Sequence, residues 1–258
     1  LHVVNGVAAL VNGGTLRLAT FAFDALTGDP AWSREIVDGV PTFVTPAVNA
    51  DGVFNANPFA VSALDAATGT PRSSVPVVAS MQSSGEYASA PVISNAGSVL
   101  ALSGNGYQVT INSPIMGYGT KRALNRFTTF PLGASWSTQP LYDSTPVVAN
   151  GVVYAYRYDP AQLDALDEAT GQLLWSWALP EAEGANFYDN LIVTKNLLFF
   201  GTNSGLKALD LKTREIVWRL QTPACFGICR QRTGTISMSA DRILFVTHGV
   251  SITAVSLR

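Results

Sequence analysis

The sequence is poor in charged residues and has very few cysteines and histidines. Charged side chains make up 13% of the 258 residues, and sixteen Lys plus Arg against eighteen Asp plus Glu leave a net charge of −2. Without a broad positive field, we expect no nucleic-acid partner and no charge-driven binding to a membrane surface. The two cysteines and two histidines provide no zinc-site spacing. No run approaches the roughly 20 apolar residues of a membrane-spanning helix.

Helical periodicity is also missing, although 47% of the residues are apolar. No segment has apolar residues at i, i+3, i+4 and i+7 between helix caps, so almost no helix is expected. The sequence is instead repetitive. Four variants of a seven-residue phrase, such as Ala63-Leu-Asp-Ala-Ala-Thr-Gly69, place an aspartate at positions 24, 65, 167 and 210. Their intervals of 41, 102 and 43 residues predict one degenerate copy in the long gap, which we place at Arg122-Ala-Leu-Asn125.

The clearest unit, residues 145–180, contains four short apolar runs separated by turn signals. Asn150-Gly151 between β-branched and aromatic residues predicts a hairpin in which both residues have positive φ. In the phrase Asp-x-x-Thr-Gly, the Asp and Thr side chains can bind turn amides while the glycine adopts the left-handed conformation. This role falls to Gly28, Gly69 and Gly171. Arg214 replaces the glycine in the fifth unit, which predicts a cost of about 1 kcal/mol and a slightly different turn.

Four-stranded units that repeat in this way are typical of a β-propeller. We therefore expect an all-β chain, with one propeller domain of four-stranded antiparallel blades over residues 1–258. Six units are predicted to begin near Val3, Thr45, Ala90, Thr145, Asn190 and Thr235, and the last lacks a fourth strand. Two alternatives stay open: a ring that closes with a three-stranded last blade, and a segment of a larger propeller.

The phrases Pro-Val-Val, Asn-Gly, Val-Tyr and Ala-Leu-Asp-x-x-Thr-Gly-x-x-x-Trp together resemble the blade repeat of the quinoprotein dehydrogenase-like propellers, the PQQ-like repeat. The resemblance covers most of the chain. It implies a structural role for three tryptophans that follow the phrase aspartate by eight residues and would pack between blades. These residues are Trp32, Trp175 and Trp218. Ser73 and Gly133 occupy that offset in two other units, so two such tryptophans are missing.

The family resembled here includes both quinone-dependent enzymes and non-catalytic scaffolds. For the enzymes it implies a quinone held against a disulfide of two adjacent cysteines, with a calcium ion bound by Glu, Asn and Asp. Cys225 and Cys229 are not adjacent, and no catalytic, cofactor-binding or metal-binding residue can be transferred. We therefore predict no cofactor, and we place the chain closer to the scaffolds. A disulfide between these cysteines and a pair of free thiols both stay open. The cysteine pair, the four lysines and the resemblance favour an extracytoplasmic location.

Loops that connect the second and third strands, and one blade to the next, are predicted to share one face. They combine aromatic and charged side chains, a composition typical of interfaces. The candidate partner-binding residues are Tyr87, Tyr107, Tyr118, Trp136, Tyr142, Asp143, Tyr188, Asp189, Phe226, Arg230 and Arg232. Three of these tyrosines, at 87, 142 and 188, either form a ring of hydroxyls or pack the entrance to each first strand.

The preferred hypothesis is a non-enzymatic propeller that binds a protein or glycan partner through this loop-rich face. One alternative is a divergent quinone-dependent or sugar-processing enzyme that uses Asp143, Asp189 or Glu86. Another is a ligand-sensing ectodomain of a larger protein. The oligomeric state stays open.

Overall fold

All regular elements of the chain are β-strands in the residues that the computed structural model describes. These are residues 1–11, 15–36, 44–57, 60–77, 89–108, 120–142, 144–157, 162–180, 187–202, 205–221, 233–248 and 251–257. No helix of the length and apolarity required to cross a membrane occurs within these ranges. The chain divides into two compact units, Leu1–Tyr142 and Asp143–Arg258.

The first unit contains three antiparallel sheets, whose strands follow one another in chain order. The first sheet consists of β1 (His2–Val11), β2 (Thr15–Phe23) and β3 (Pro30–Glu35). The second consists of β4 (Ala47–Asn49), β5 (Gly52–Ala56), β6 (Ala60–Leu64) and β7 (Pro71–Pro76). The third consists of β8 (Val92–Ile93), β9 (Ser98–Gln108), β10 (Thr120–Thr129) and β11 (Leu132–Tyr142).

The second unit repeats this organisation with three further antiparallel sheets. The fourth sheet consists of β12 (Val147–Ala149), β13 (Val152–Arg157), β14 (Gln162–Asp167) and β15 (Leu173–Ala178). The fifth consists of β16 (Phe187–Val193), β17 (Leu197–Thr202), β18 (Gly205–Asp210) and β19 (Ile216–Leu220). The sixth consists of β20 (Thr233–Met238), β21 (Ile243–His248) and β22 (Ser251–Ser256).

Six sheets of three or four antiparallel strands confirm the fold class, an all-β propeller with six repeats. The sixth sheet has only three strands in the described part of the chain, as the sequence predicts. The first sheet also has three strands among the described residues, which the repeat pattern does not predict. Its strands correspond to the second, third and fourth of a complete sheet, because Ala22 on β2 pairs with Trp32 as Ala165 on β14 pairs with Trp175.

Neighbouring sheets in the first unit pack face to face through apolar side chains. Val3 and Ala22 of the first sheet lie in one buried cluster with Val53 and Leu64 of the second. On its other face, the second sheet contributes Phe54 to a cluster with the third sheet. That cluster also contains Ala56, Val61, Ala63, Val77, Val99, Ala101, Phe127 and Leu132. Burial of each large apolar side chain contributes about 1.5–3 kcal/mol, so these contacts hold the sheets together.

The second unit uses the same packing. Tyr154 and Leu163 of the fourth sheet form a buried cluster with Leu198 and Phe200 of the fifth. The opposite face of the fifth sheet packs on the sixth, through a cluster of Phe199, Leu206, Ala208, Ile236, Leu244 and Val246. Because β17 and β18 pack on both faces, they are buried at nearly every position.

The placement of the degenerate repeat at residues 122–125 is wrong by three residues. Phe127 pairs with Val99 as Leu64 pairs with Val53, so Thr128 occupies the position of Asp65 and the hairpin follows between Thr129 and Leu132. Asn125 lies inside β10. The repeat was misplaced because the hairpin of the second and third strands is longer in the third sheet. Its strands β9 and β10 have 11 and 10 residues, whereas β5 and β6 of the second sheet have five each.

Candidate functional site

Each sheet has two chemically different ends. The turns between first and second strands, and between third and fourth strands, lie at one end, which we call the hairpin end. The connections between second and third strands, and from one sheet to the next, lie at the other, which we call the loop end. This division follows from the antiparallel order of the strands, and it separates short regular turns from connections of variable length.

The hairpin ends are held by a repeated set of hydrogen bonds around the phrase aspartate. Oδ1 of Asp65 accepts the amide protons of Ala67 and Thr68 at 3.0 and 2.9 Å. Equivalent backbone amide bonds are received by Asp24, Asp167 and Asp210. The glycines at positions 28, 69 and 171 have φ values of 78°, 69° and 73°. Asn150 and Gly151 both have positive φ, at 53° and 73°, as their hairpin motif predicts.

These hydrogen bonds stabilise the ionised form of the phrase aspartates. The guanidinium of Arg72, with Nη2 2.6 Å from Asp65 Oδ2, is the main reason why the pKa of Asp65 falls to about 2. The pKa of Asp24 and that of Asp210 are lowered mainly by the backbone amides of Thr27 and Thr213. For Asp167, the pKa is lowered mainly by the Thr170 hydroxyl. These carboxylates are therefore committed to the turns.

Arg214 forms the same turn as the glycines, so the expected difference in turn geometry is wrong. Its φ is 61°, and its amide donates to the Asp210 carbonyl at 2.8 Å, as the Gly171 amide donates to the Asp167 carbonyl at 2.8 Å. The Arg214 guanidinium carbon lies 5.1 Å from the centre of the Trp175 ring. This cation–π contact offsets part of the cost of a left-handed non-glycine residue.

The three predicted structural tryptophans lie between neighbouring sheets. Trp32 donates its indole proton to the Ala66 carbonyl at 2.9 Å, and its ring lies directly against Gly69 in the turn of the second sheet. Trp175 occupies the equivalent position beneath Arg214. Trp218 lies 6.2 Å from Phe199, ring centre to ring centre, and packs on the cluster between the fifth and sixth sheets. Each tryptophan therefore connects its own sheet to the turn or core of the next.

Trp136, a candidate for partner binding, occupies this same structural position in the third sheet. It pairs with Arg126 as Trp175 pairs with Ala165, and it follows Thr128 by eight residues. The prediction that Gly133 stands at this offset is wrong because it depended on the misplaced repeat. Ser73, opposite Ala63, does lack the ring. Trp136 also lines a cleft of about 140 Å³, together with Pro76, Val77 and residues of β10 and β11.

A polar network joins the first sheet to the second near the loop end of the second. Nδ2 of Asn5 donates to Oδ1 of Asn55 at 3.0 Å and to the Val44 carbonyl at 2.9 Å. Oγ1 of the buried Thr20 donates to Oδ1 of Asn5 at 2.8 Å and accepts from Nδ2 of Asn55 at 3.1 Å. The network fixes the start of β4 against the first sheet, and it thereby positions the connection that precedes β4.

An ion pair lies at the loop end of the fourth sheet. Asp164 on β14 is only 1% exposed, and its Oδ2 is 2.9 Å from Nε of Arg157, the last residue of β13. Oδ1 of Asp164 accepts from Oγ of Ser176 at 2.7 Å and from Nε2 of Gln162 at 3.0 Å. The cluster braces the strand ends on both sides of the second-to-third-strand connection.

Sequence reasoning missed these polar positions, although a signal exists. Asp164 lies three residues before the phrase aspartate, and Lys207, also buried, occupies the same position in the fifth sheet. A second signal is a serine two residues before a proline. Ser89 and Ser144 accept the amide protons of Leu102 and Tyr156 at 2.9 and 2.8 Å. Both serines tie the connection between two sheets to the following sheet.

Most of the candidate partner-binding residues are not brought together by described contacts. Tyr142 lies in β11 and is fully buried, a position that favours the packing alternative for this residue. Tyr107 lies in β9, and Tyr188 and Asp189 lie in β16, but their side chains are outside the described structure. The residues that lie wholly outside the described ranges are Tyr87, Tyr118, Asp143, Phe226, Arg230, Arg232, Cys225, Cys229 and Glu86.

The described residues do not assemble a metal centre. No three His, Cys, Asp or Glu side chains among them converge on one point. A quinone site of the type that the resemblance implies needs several carboxylate and amide oxygens around a calcium ion.

Known proteins similar to this chain belong to one family but are of two kinds, an assembly factor and a dehydrogenase subunit. The sequence profile described as outer membrane protein assembly factor BamB matches residues 2–116 and 128–258. A curated relative, the dehydrogenase subunit of a quinone alcohol dehydrogenase from Gluconobacter oxydans, is 37% identical over 112 residues. The match covers 39% of this chain and 14% of that protein. This chain thus corresponds to a small part of that relative's length.

Two solved structures are similar in fold. BamB from Moraxella catarrhalis has a TM-score of 0.53 at 15% identity, over 95% of this chain and 80% of that one. A quinohemoprotein alcohol dehydrogenase from Comamonas testosteroni has a TM-score of 0.59 at 14% identity, over 94% of this chain and 51% of that one. At such identities the similarity is one of fold, and function has to be argued from the site.

Proposed function

Because the chain belongs to the PQQ-like propeller family described as outer membrane protein assembly factor BamB, we propose that it is a non-catalytic scaffold that binds a protein partner. The partner contacts the loop ends of the sheets, and a component of an outer-membrane protein assembly machinery is the first candidate. The observation that carries this proposal is the contrast between the two ends. The phrase aspartates at the hairpin ends accept turn hydrogen bonds, whereas the connections at the loop ends vary in length and some follow strand ends that polar contacts brace.

The buried polar clusters support this assignment of the loop ends. A recognition loop works best when its anchor points are rigid, because less conformational freedom is then lost on binding. The Asp164–Arg157 pair anchors one such connection at both ends. The network of Asn5, Thr20 and Asn55 anchors another through the Val44 carbonyl. The polar side chains of both sites contact one another, which fits a supporting role better than a catalytic one.

The partner and its contact face can be identified by site-specific photo-crosslinking in the native host. A photoreactive amino acid at Tyr118 or Phe226, both in predicted contact loops, is expected to give an adduct with a defined protein. Matched controls carry it at Leu26 or Phe130, which are 97% and 78% exposed at hairpin ends. Adducts from the hairpin-end positions alone would count against the proposal.

We place this scaffold outside the cytoplasm. The support is the family described above together with the presence of only four lysines, at positions 121, 195, 207 and 212. Fractionation of the native host, with protease treatment of intact and permeabilised cells, tests the location. Recovery with the cytoplasmic markers would contradict it.

A second candidate function is quinone-dependent dehydrogenation, and the identity to a quinone alcohol dehydrogenase subunit favours it. The test is to add pyrroloquinoline quinone with calcium and record the absorbance spectrum during titration. The scaffold proposal predicts the spectrum of the free quinone at every protein concentration. A saturable spectral change would support the enzyme instead.

A further inference from the structure

Arg126 occupies a position at which four other sheets have a buried alanine. In each of these sheets the position pairs with the inter-sheet tryptophan of the outer strand, or with Ser73 in the second sheet. The alanines are at most 3% exposed, and they are Ala22, Ala63, Ala165 and Ala208. The third sheet therefore places a long cationic side chain where the repeat otherwise buries a methyl group.

The charge of Arg126 has little compensation inside the protein. Its Nη1 atom donates to Oγ of Ser135 at 2.9 Å. Its Nε atom is buried and has no hydrogen-bond acceptor among the described residues. By contrast, Nη2 of Arg72 lies 2.6 Å from the carboxylate of Asp65. Because a buried donor of a charged group is costly without an acceptor, the Arg126 guanidinium is suited to pair with an anion from outside the protein.

Arg126 also lines the cleft of about 140 Å³ to which Trp136 contributes. The lining comes from β10 and β11 of the third sheet and from the end of β7 in the second. Val77 and Phe127 belong to the apolar cluster between these two sheets, so part of the cleft surface is apolar. No aspartate or glutamate is among the described residues that line it. The cleft thus combines one guanidinium with apolar and aromatic surface.

We propose that this cleft binds a small organic acid, whose carboxylate pairs with the Arg126 guanidinium while its apolar part lies against Trp136. The planar guanidinium matches the two oxygens of a carboxylate. A cavity of about 150 Å³ can hold benzene, so the apolar part of the ligand is no larger than about one aromatic ring. Arg126 and Trp136 belong to strands and not to the loop-end connections, so this site does not rest on the proposed scaffold function.

Titration of the purified 258-residue chain with sodium benzoate at constant ionic strength, followed by NMR, tests the site. The Nε–H signal of Arg126 and the indole N–H signal of Trp136 are expected to shift saturably, with a dissociation constant in the roughly millimolar range. Benzamide has the same ring without the charge, and it should bind at least roughly tenfold more weakly. Shifts that do not saturate, or equal binding of benzamide, would overturn the proposal.

The variant Arg126→Ala tests the role of the guanidinium. It introduces the residue that four other sheets have at this position, so it should fold. It is expected to raise the dissociation constant for benzoate at least roughly tenfold. The matched control is Arg34→Ala on the outer strand of the first sheet, where Nε donates to the Gly69 carbonyl at 3.1 Å. This control should bind benzoate like the wild type.

Unchanged binding of benzoate by a folded Arg126→Ala variant would overturn the proposal, and so would an equal loss in Arg34→Ala. Circular dichroism shows whether each variant is folded. If Arg126→Ala does not fold, the comparison of benzoate with benzamide on the wild type still decides the proposal.

Discussion

In the hairpin turns, the repeats of this chain share one backbone conformation even where their residue types differ. Arg214 has the φ value and the hydrogen bonds of the glycine that it replaces. A left-handed arginine costs about 1 kcal/mol relative to glycine, and its contact with Trp175 returns about 0.5–1 kcal/mol. The two effects nearly cancel, so the turn tolerates the substitution.

This balance predicts different outcomes for two substitutions. Arg214→Gly removes both the strain and the contact, so its unfolding free energy should stay within about 0.5 kcal/mol of the wild type. Arg214→Ala keeps the strain and loses the contact, and it should be less stable by about 0.5–1 kcal/mol. Urea denaturation measures both values, with Gly171→Ala as the control that gains strain alone. Equal stability of the alanine variant and the wild type would show that the contact with Trp175 contributes nothing.

The Asp65–Arg72 pair predicts a specific pH dependence. The pKa of Asp65 is about 2 in the folded protein, below its ordinary value of 3.8. Its contribution to stability is therefore present above about pH 4 and is lost as the pH falls towards 2. Carboxylate titration followed by NMR should place the pKa of Asp65 near 2 in the wild type. In Arg72→Met the pKa should rise towards the ordinary value. If Arg72→Met leaves this pKa unchanged, the arginine is not its main cause.

At the scale of elements, neighbouring sheets pack through the contact between a tryptophan of one sheet and the turn of the next. A Cβ at Gly69 would lie 2.5 Å from Cε3 of Trp32, whereas a Cβ at Gly28 would meet no atom within 4 Å. Both glycines have positive φ, at 69° and 78°, so alanine imposes the same backbone cost at each.

We therefore expect Gly28→Ala to lower the free energy of unfolding by about 1 kcal/mol. Gly69→Ala should lower it by about 2–4 kcal/mol, because the methyl group displaces the Trp32 ring. Combining Gly69→Ala with Trp32→Leu should cost less than the sum of the single effects. Equal losses at the two glycines, measured by urea denaturation, would show that Trp32 does not pack against the turn.

The sequence predicts the turn between the third and fourth strands wherever the phrase Asp-x-x-Thr-Gly is intact. Each copy fixes a turn, and each turn fixes the register of the strands on both sides. In the third sheet Thr128 replaces the aspartate, and the hairpin before it is several residues longer than in the other sheets. The assumption of equal intervals therefore misplaces the repeat, and it hides the structural position of Trp136, which stays a predicted contact residue.

The candidate site was much less predictable than the sheets. Asn5, Thr20 and Asn55 meet through hydrogen bonds between residues 15 to 50 positions apart. No local motif records such a meeting, because it depends on how two sheets pack. The polar residues three positions before Asp167 and Asp210 are visible in the sequence. Their burial is not, since it depends on both neighbouring strands.

At the scale of the whole molecule, each repeat combines a uniform hairpin end with a variable loop end. The hairpin end of each sheet is uniform because its hydrogen bonds specify the repeat itself. The loop ends are free to vary because no strand register depends on their sequence, and loops on a rigid scaffold commonly carry recognition. The family's use of one fold for both enzymes and assembly factors is consistent with this division.

The proposed scaffold function requires that a protein partner contacts the loop ends and not the hairpin ends. Once crosslinking has identified that partner, its dissociation constant, measured with purified proteins, shows which end it contacts. The double variant Tyr118→Ala/Phe226→Ala should weaken binding at least roughly tenfold, as expected for aromatic interface anchors. The hairpin-end variant Leu26→Ser/Phe130→Ser should bind within about twofold of the wild type. The reverse order, with binding impaired in the hairpin-end variant and unchanged in the loop-end variant, would contradict the proposed scaffold function.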